Sequence, residues 1–209
     1  ATFKGLSPDQ VGDVWKGFLA DPLHMILWHS VFMVLTIGVI IKGVQQGLER
    51  ATKFMMPALY LVLIFLVIFA AVEGDFAKGF HFLFDFDSSK ITPSIIISAM
   101  GHAFFSLALG AGAMLAYGAY VPKKVNLTYA VCVVAVLDVL VAVLSGLAIF
   151  PIVFANGLSP SSGPGLMFVT LPIAFSHIDG GNLIGALFFI LLLFAAWTSS
   201  INLAEPLVV

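Results

Sequence analysis

An apolar run from about Thr92 to Val121 carries two glycines, Gly110 and Gly112, near its middle. It is too long for one straight bilayer crossing, which takes about 20 residues. It is also interrupted where a crossing would be deepest. Lipid cannot hydrogen-bond free backbone groups, so a break at membrane depth persists only where it lines a cavity. The run is therefore expected to fold as two half-helices flanking an irregular turn at 108–112. Their dipole ends and freed carbonyls could hold ions and a small charged molecule.

The surrounding chain supports a membrane setting. Of 209 residues, 61% are hydrophobic and 10% charged, and the mean hydropathy is +1.11. A water-soluble domain carries about 25% charged residues. The net charge of −2 points to neither an acidic nor a basic partner. No polybasic run is interleaved with aromatics, so no nucleic-acid partner is expected. Cys132 is the one cysteine and can form no disulfide within the chain.

Four further runs are long enough to span: 25–41, 55–72, 125–150 and 183–204. With 92–121 they give five crossings, all read as helices. Loop charge orients them. Segments 42–54 and 122–124 hold Lys42, Arg50, Lys53, Lys123 and Lys124, and are assigned to the cytoplasm. Segments 1–24, 73–91 and 151–182 are assigned outside. The segment 73–91 is acidic, and its alternating Phe80, Phe82, Phe84 and Phe86 read as an interfacial anchor or a short strand. The segment 151–182 is long and apolar for a loop, which suits either a lid or a packed connector. The chain begins without Met and stops soon after an apolar run, so a longer protein is expected.

Polar residues inside the spans are the functional candidates. A carboxylate at a helix centre costs roughly 2.5–3.5 kcal/mol on insertion scales, and Asp138 lies mid-span. No Lys or Arg lies inside any span, so a metal-ion or proton role is favoured over a partner elsewhere in a longer chain. Ala195, Thr198 and Ser199 fall on one helix face at i, i+3 and i+4. Two hydroxyls and a carbonyl suit a hard monovalent cation such as sodium. Equally, such hydroxyls often bond back to a carbonyl of their own helix. His102 and Ser106 are one turn apart, and a histidine there is more often a packing residue. The glycines could simply permit close helix packing.

Taken together, these motifs resemble one family. The run Gly101-His-Ala-Phe-Phe-Ser-Leu-Ala-Leu-Gly-Ala-Gly-Ala-Met-Leu-Ala-Tyr-Gly118 resembles the sixth transmembrane helix of neurotransmitter:sodium symporters. Gly165-Leu-Met-Phe-Val-Thr-Leu-Pro172 resembles their fourth extracellular loop. Phe194-Ala-Ala-Trp-Thr-Ser-Ser200 with Glu205-Pro206 resembles their eighth helix. Gly43-Val-Gln-Gln-Gly-Leu-Glu-Arg50 with Met55-Met-Pro57 resembles the link between helices four and five. The resemblance covers essentially the whole chain, in its prokaryotic form. It implies an all-α membrane fold, the fourth to eighth helices of a core built from two inverted five-helix repeats. Helices one to three of the same transporter would be the missing partners.

The implied activity is sodium-coupled symport of an amino acid across the cell (inner) membrane by alternating access, with sodium ions as the only cofactor and no enzymatic step. By resemblance, Ser106 and Asp138 belong to a first sodium site, and Ala195, Thr198 and Ser199 to a second. Phe105 would close over substrate. Ala108, Leu109 and Ala111 would line its side-chain pocket, with Ser106, Ser199 and Leu203 completing it. The chloride-site positions of the family would be His102, Ser106, Asp138 and Ala142. Here His102 replaces a common Gln, Asp138 an Asn, and Ala142 lacks the hydroxyl or acid of some members. The Asp138 charge is thus expected to substitute for chloride, making transport chloride-independent. Small Ala108 and Ala111 leave room for a large apolar or aromatic substrate. The alternatives are another small amine or osmolyte and, behind these, a non-transporting scaffold.

Overall fold

Ser7 and Gln10 cap each other at the start of the first helix. The Gln10 amide donates to the Ser7 hydroxyl at 3.3 Å, and the Ser7 amide to the Gln10 side chain at 2.9 Å. This reciprocal cap uses donors that a helix start leaves unpaired. It opens α1 (Pro8–Leu19) in the computed structural model, which describes residues 6–42, 49–109, 114, 118–119, 121–122, 124–160, 163–178 and 180–204. The same logic recurs. Asp21 accepts the amides of Leu23 and His24 and starts α2 (Pro22–Ile40). Those bonds, with the His24 ring at 2.6 Å, hold its carboxyl below the usual range. Asp75 starts α4 (Phe76–Phe84), Thr92 starts α5 (Pro93–Ser106) and Asn126 starts α6 (Leu127–Ala155). Between them runs α3 (Glu49–Glu73). A π-helical turn at Leu166–Thr170 leads into α7 (Leu171–Ser176), and α8 (Gly181–Ala204) completes the described elements.

Among the described residues, four helices are long and apolar enough to cross a membrane: Pro22–Ile40, Thr52–Glu73, Leu127–Ala155 and Gly181–Ala204. At 1.5 Å per residue, the fourteen residues of α5 reach only about 21 Å. That falls short of the ~30 Å hydrocarbon layer, as a half-helix should.

The core lies between α3, α6, α7 and α8. Leu59, Leu63, Leu66 and Ala70 form a buried stripe along α3 at helical spacing. Ile184, Phe188 and Leu191 do the same on α8, and Ala148, Ile152 and Val153 close the contact from α6. Close approaches set the geometry. A Cβ on Gly79 would stand 2.7 Å from the Pro151 ring, so the close approach of α4 to α6 at this point requires glycine. Here Pro151 also accepts the Asp75 amide at 3.0 Å. A Cβ on Gly181 would land on the Phe175 carbonyl oxygen. A polar tie joins α2 to α8. Buried Thr36 bonds the Phe32 carbonyl at 3.0 Å and meets the Ser200 hydroxyl at 3.4 Å.

Three segments carry structure that the sequence reading did not specify. The alternating phenylalanines do not form a strand: Phe80, Phe82 and Phe84 lie in α4. Their rings are tilted against one another and against Phe150. The segment 151–182 contains the π-helical turn and α7. The leading segment contains α1, whose Trp15 ring lies flat on Phe168 of the π-helical turn, 4.3 Å between centroids and 7° from parallel.

Candidate functional site

The break after α5 begins as a formal helix stop. The Leu109 amide donates to the Phe104 carbonyl at 2.9 Å, and the Ala108 amide to Phe105 at 3.1 Å. These are the two bonds of a Schellman turn, with Ala108 in its left-handed position at φ 52°. Glycine normally takes that place; an L-residue there costs roughly 1–2 kcal/mol. Ala103 accepts the Leu107 amide at 3.1 Å. The carbonyls of residues 103 to 105 are therefore used within the turn. Residues 110–113, which include Ala111, Gly110 and Gly112, lie outside the described residues.

Turning the chain at Leu107 puts Ser106 against α6. Its hydroxyl donates to the Asp138 carboxylate at 3.0 Å across 32 positions of sequence. A hydroxyl that donates its one hydrogen keeps lone pairs for a cation. The carboxylate keeps further acceptor sites. Asp138 is half-buried, and Ser106 is exposed.

Both residues line a cavity of about 560 Å³ between the end of α5, the first half of α6 and the end of α8. That volume lies within the range of small-molecule sites. Phe105, Ala108, Leu109, Ser199 and Leu203 also line it. Seven sequence-predicted residues thus converge from three helices and the turn that follows α5. The described lining does not include His102, Ala142, Ala195 or Thr198. His102 and Ala142 are exposed on α5 and α6.

The lining adds residues that the sequence reading missed: Phe104, Leu107, Met114, Val134 and Asn202. For Asn202 the signal was available. It stands three positions after Ser199, on the same helix face.

The predicted hydroxyl face of α8 is turned partly onto its own backbone. Thr198 donates to the carbonyls of Phe194 and Ala195, each at 2.9 Å, and Ser199 to Ala195 at 2.9 Å. This is the back-bonding that the sequence left open. It gathers both hydroxyls on the Ala195 carbonyl, and both retain lone pairs. Thr198 is buried while Ser199 opens to the cavity. All candidate ion ligands are oxygens, the donor class that hard cations take. Among the described residues no group of three His, Cys, Asp or Glu side chains is placed to hold a metal.

Comparison with known proteins gives the family of the chain. The profile of the sodium:neurotransmitter symporter family matches residues 19–209. An uncharacterized sodium-dependent transporter, YhdH of Bacillus subtilis, is 37% identical over 207 residues, 99% of this chain and 46% of the relative. An uncharacterized sodium-dependent transporter of Haemophilus influenzae is 36% identical, over 90% of this chain and 41% of its own length. The crystal structure of MhsT in complex with L-phenylalanine superposes with a TM-score of 0.82 at 44% identity. It covers 93% of this chain and 44% of MhsT. The chain thus spans less than half the length of these relatives.

Proposed function

Because the chain belongs to the sodium:neurotransmitter symporter family, we propose that it supplies much of the binding site of a sodium-coupled amino-acid symporter. The cavity beside the break takes the substrate. Ser106 and Asp138 serve a first sodium ion there. Thr198, Ser199 and the Ala195 carbonyl serve a second, their hydroxyl hydrogens turned onto α8 and their lone pairs toward the ion. Phe105, 83% exposed at the mouth, closes over the bound molecule. Helices preceding this segment in the full transporter complete both ion sites and the far wall.

The observation that carries this reading is the Ser106–Asp138 hydrogen bond at the edge of the cavity. It places a carboxylate beside a helix break in a molecule of low charge. Binding there is cooperative by linkage: sodium and substrate favour the same closed state, so each raises affinity for the other. Alternating access then carries both across the cell membrane. Segments 42–54 and 122–124 face the cytoplasm in this reading; α1, α4 and α7 face outside. Asp138 provides the negative charge that chloride would otherwise bring, so transport proceeds without chloride. The crystal structure of MhsT in complex with L-phenylalanine supports a large apolar or aromatic substrate.

The test is uptake of labelled amino acids by the full-length transporter in proteoliposomes. A sodium gradient is expected to be required, and replacement of chloride by gluconate to change nothing. Asp138→Asn is expected either to abolish uptake or to make it chloride-dependent. Chloride-dependent uptake by the unsubstituted protein would defeat the role given to Asp138. Uptake indifferent to sodium would defeat the whole reading.

A further inference from the structure

The helix α1 packs on the π-helical turn and on α2. Val11 and Trp15, four positions apart, share one face of it. Val11 is fully buried, and the Trp15 ring lies flat on Phe168 of the turn. Phe168 also stacks on Phe189 of α8, with 6.0 Å between centroids and 19° between planes. Three near-parallel rings thus join α1, the turn and α8. We propose that Trp15 is a clamp. Stacked on Phe168, it holds the π-helical turn against α8, and its release frees this outer segment to move during transport. Trp15 is a positioning residue, acting through Phe168. The inference rests on the alternating-access reading above.

The two sides of the turn are held unequally. After it, α7 is buried from Leu171 to Phe175, and its junction with α8 is closed where Gly181 meets the Phe175 carbonyl. Before it, Gly163 turns the chain at φ 67°, and a Cβ there would meet nothing within 4 Å. A left-handed glycine free of packing is a natural pivot. Within the turn the Leu171 amide reaches back five residues, to the Leu166 carbonyl. Pro172 has no amide to offer the Phe168 carbonyl, so an ordinary α-helical register would leave that carbonyl without its donor. Only Leu166 of the turn is buried; Met167, Phe168, Val169 and Thr170 are half-buried. Ring stacking on Phe168 is therefore a large part of its anchorage. One aromatic pair is enough to shift a two-state balance about threefold to tenfold. The clamp itself sits on firmer ground. Through Ala20 and Asp21, α1 runs into α2, a helix long and apolar enough to span.

The test is the rate of thiol labelling by a water-soluble reagent on the full-length transporter in proteoliposomes, with the native cysteines replaced. Leu166→Cys puts a thiol at the buried position of the turn, and Ala148→Cys puts one in the core of α6 as a control. With Trp15 present, sodium together with a mixture of the twenty amino acids should slow labelling at 166. Trp15→Ala should speed labelling at 166 about threefold to tenfold and leave 148 within about twofold. Phe168→Ala should do the same, and the double variant should go no further than either alone. Trp15→Phe keeps a ring and should retain most of the protection. Where Trp15→Ala fails to accumulate, Trp15→Leu makes the same comparison. Unchanged labelling at 166, additive effects of the two alanines, or equal acceleration at 148 would each overturn the clamp alone. Labelling at 166 that ignores sodium and amino acids while Trp15 is present would overturn the transport reading and the clamp together.

Discussion

The two halves of α6 live in different surroundings. From Gly146 to Val153 the helix is built into the core. Gly146, Ala148, Pro151, Ile152 and Val153 are buried there, with Gly79 pressed to the Pro151 ring. From Val131 to Leu140 the same helix exposes Val131, Val136, Leu137, Val139 and Leu140, and carries Asp138 into the cavity. Hydropathy does not separate the two, since both are strongly apolar. What differs is the neighbour. The second half faces α3 and α4. The first half faces α5, none of whose residues is buried. One rod thus anchors in a packed region and offers its free end to the binding site. Stability and binding are divided along a single helix, and substitutions should divide the same way.

The sharpest way to break this division is at the packed end of the molecule. In Gly181→Val a side chain must enter where the Phe175 carbonyl already lies. The backbone junction of α7 and α8 has to move, at an expected loss of at least ~3 kcal/mol. Thermal unfolding of the purified full-length protein would register it as a large drop or as failure to accumulate. A variant melting with the unsubstituted protein would mean that this end is not the anchor.

At the free end the expected effect moves from stability to binding. Ser106→Ala removes the hydroxyl set against Asp138 at an exposed position, where the bond itself adds little to stability but the lost oxygen is a proposed sodium ligand. The half-saturating sodium concentration for uptake should rise about tenfold or more, with little change in melting temperature. Equal losses in both measurements would erase the distinction between the halves.

The smallest effect sharpens the comparison at the break itself. Ala108→Gly removes a Cβ from a left-handed residue. The relief is partly offset by the greater freedom of glycine in the unfolded chain, leaving a gain of up to about 1 kcal/mol. Ala108→Val should reverse the sign, because a β-branched residue tolerates positive φ poorly. Thermal unfolding in the absence of ligand measures both.

How much of this could be read beforehand follows from which interactions are local. The long apolar helices were legible because hydropathy over 20 residues is a property of the chain alone. The meeting of Ser106 with Asp138 was legible only through the family resemblance, since nothing local links positions 32 apart. The helix α4 was missed although its signal was present. Asp75 is a good N-cap, and Phe76, Phe80 and Phe84 repeat every fourth position, but the additional Phe82 and Phe86 imposed an apparent period of two. The reciprocal Ser7–Gln10 cap likewise announced α1. The destination of the Thr198 and Ser199 hydroxyl hydrogens was not legible, because back-bonding and outward ligation use the same residues at the same spacing. Asn202 was legible from helix spacing alone, three positions after Ser199.

The length of α6 has its own consequence. Twenty-nine residues make a cylinder about 44 Å long, some 14 Å more than the oily slab of an ordinary bilayer. The surplus must be taken up by leaning or by protrusion. Its far tip is ringed by Phe82, Phe150 and Phe154, with the Lys78 ammonium 5.1 Å above the Phe154 ring. Aromatic rings beside a cation favour the headgroup zone. That collar gives the helix a depth gauge, and through the rigid shaft below it, bilayer thickness bears on where Asp138 comes to rest.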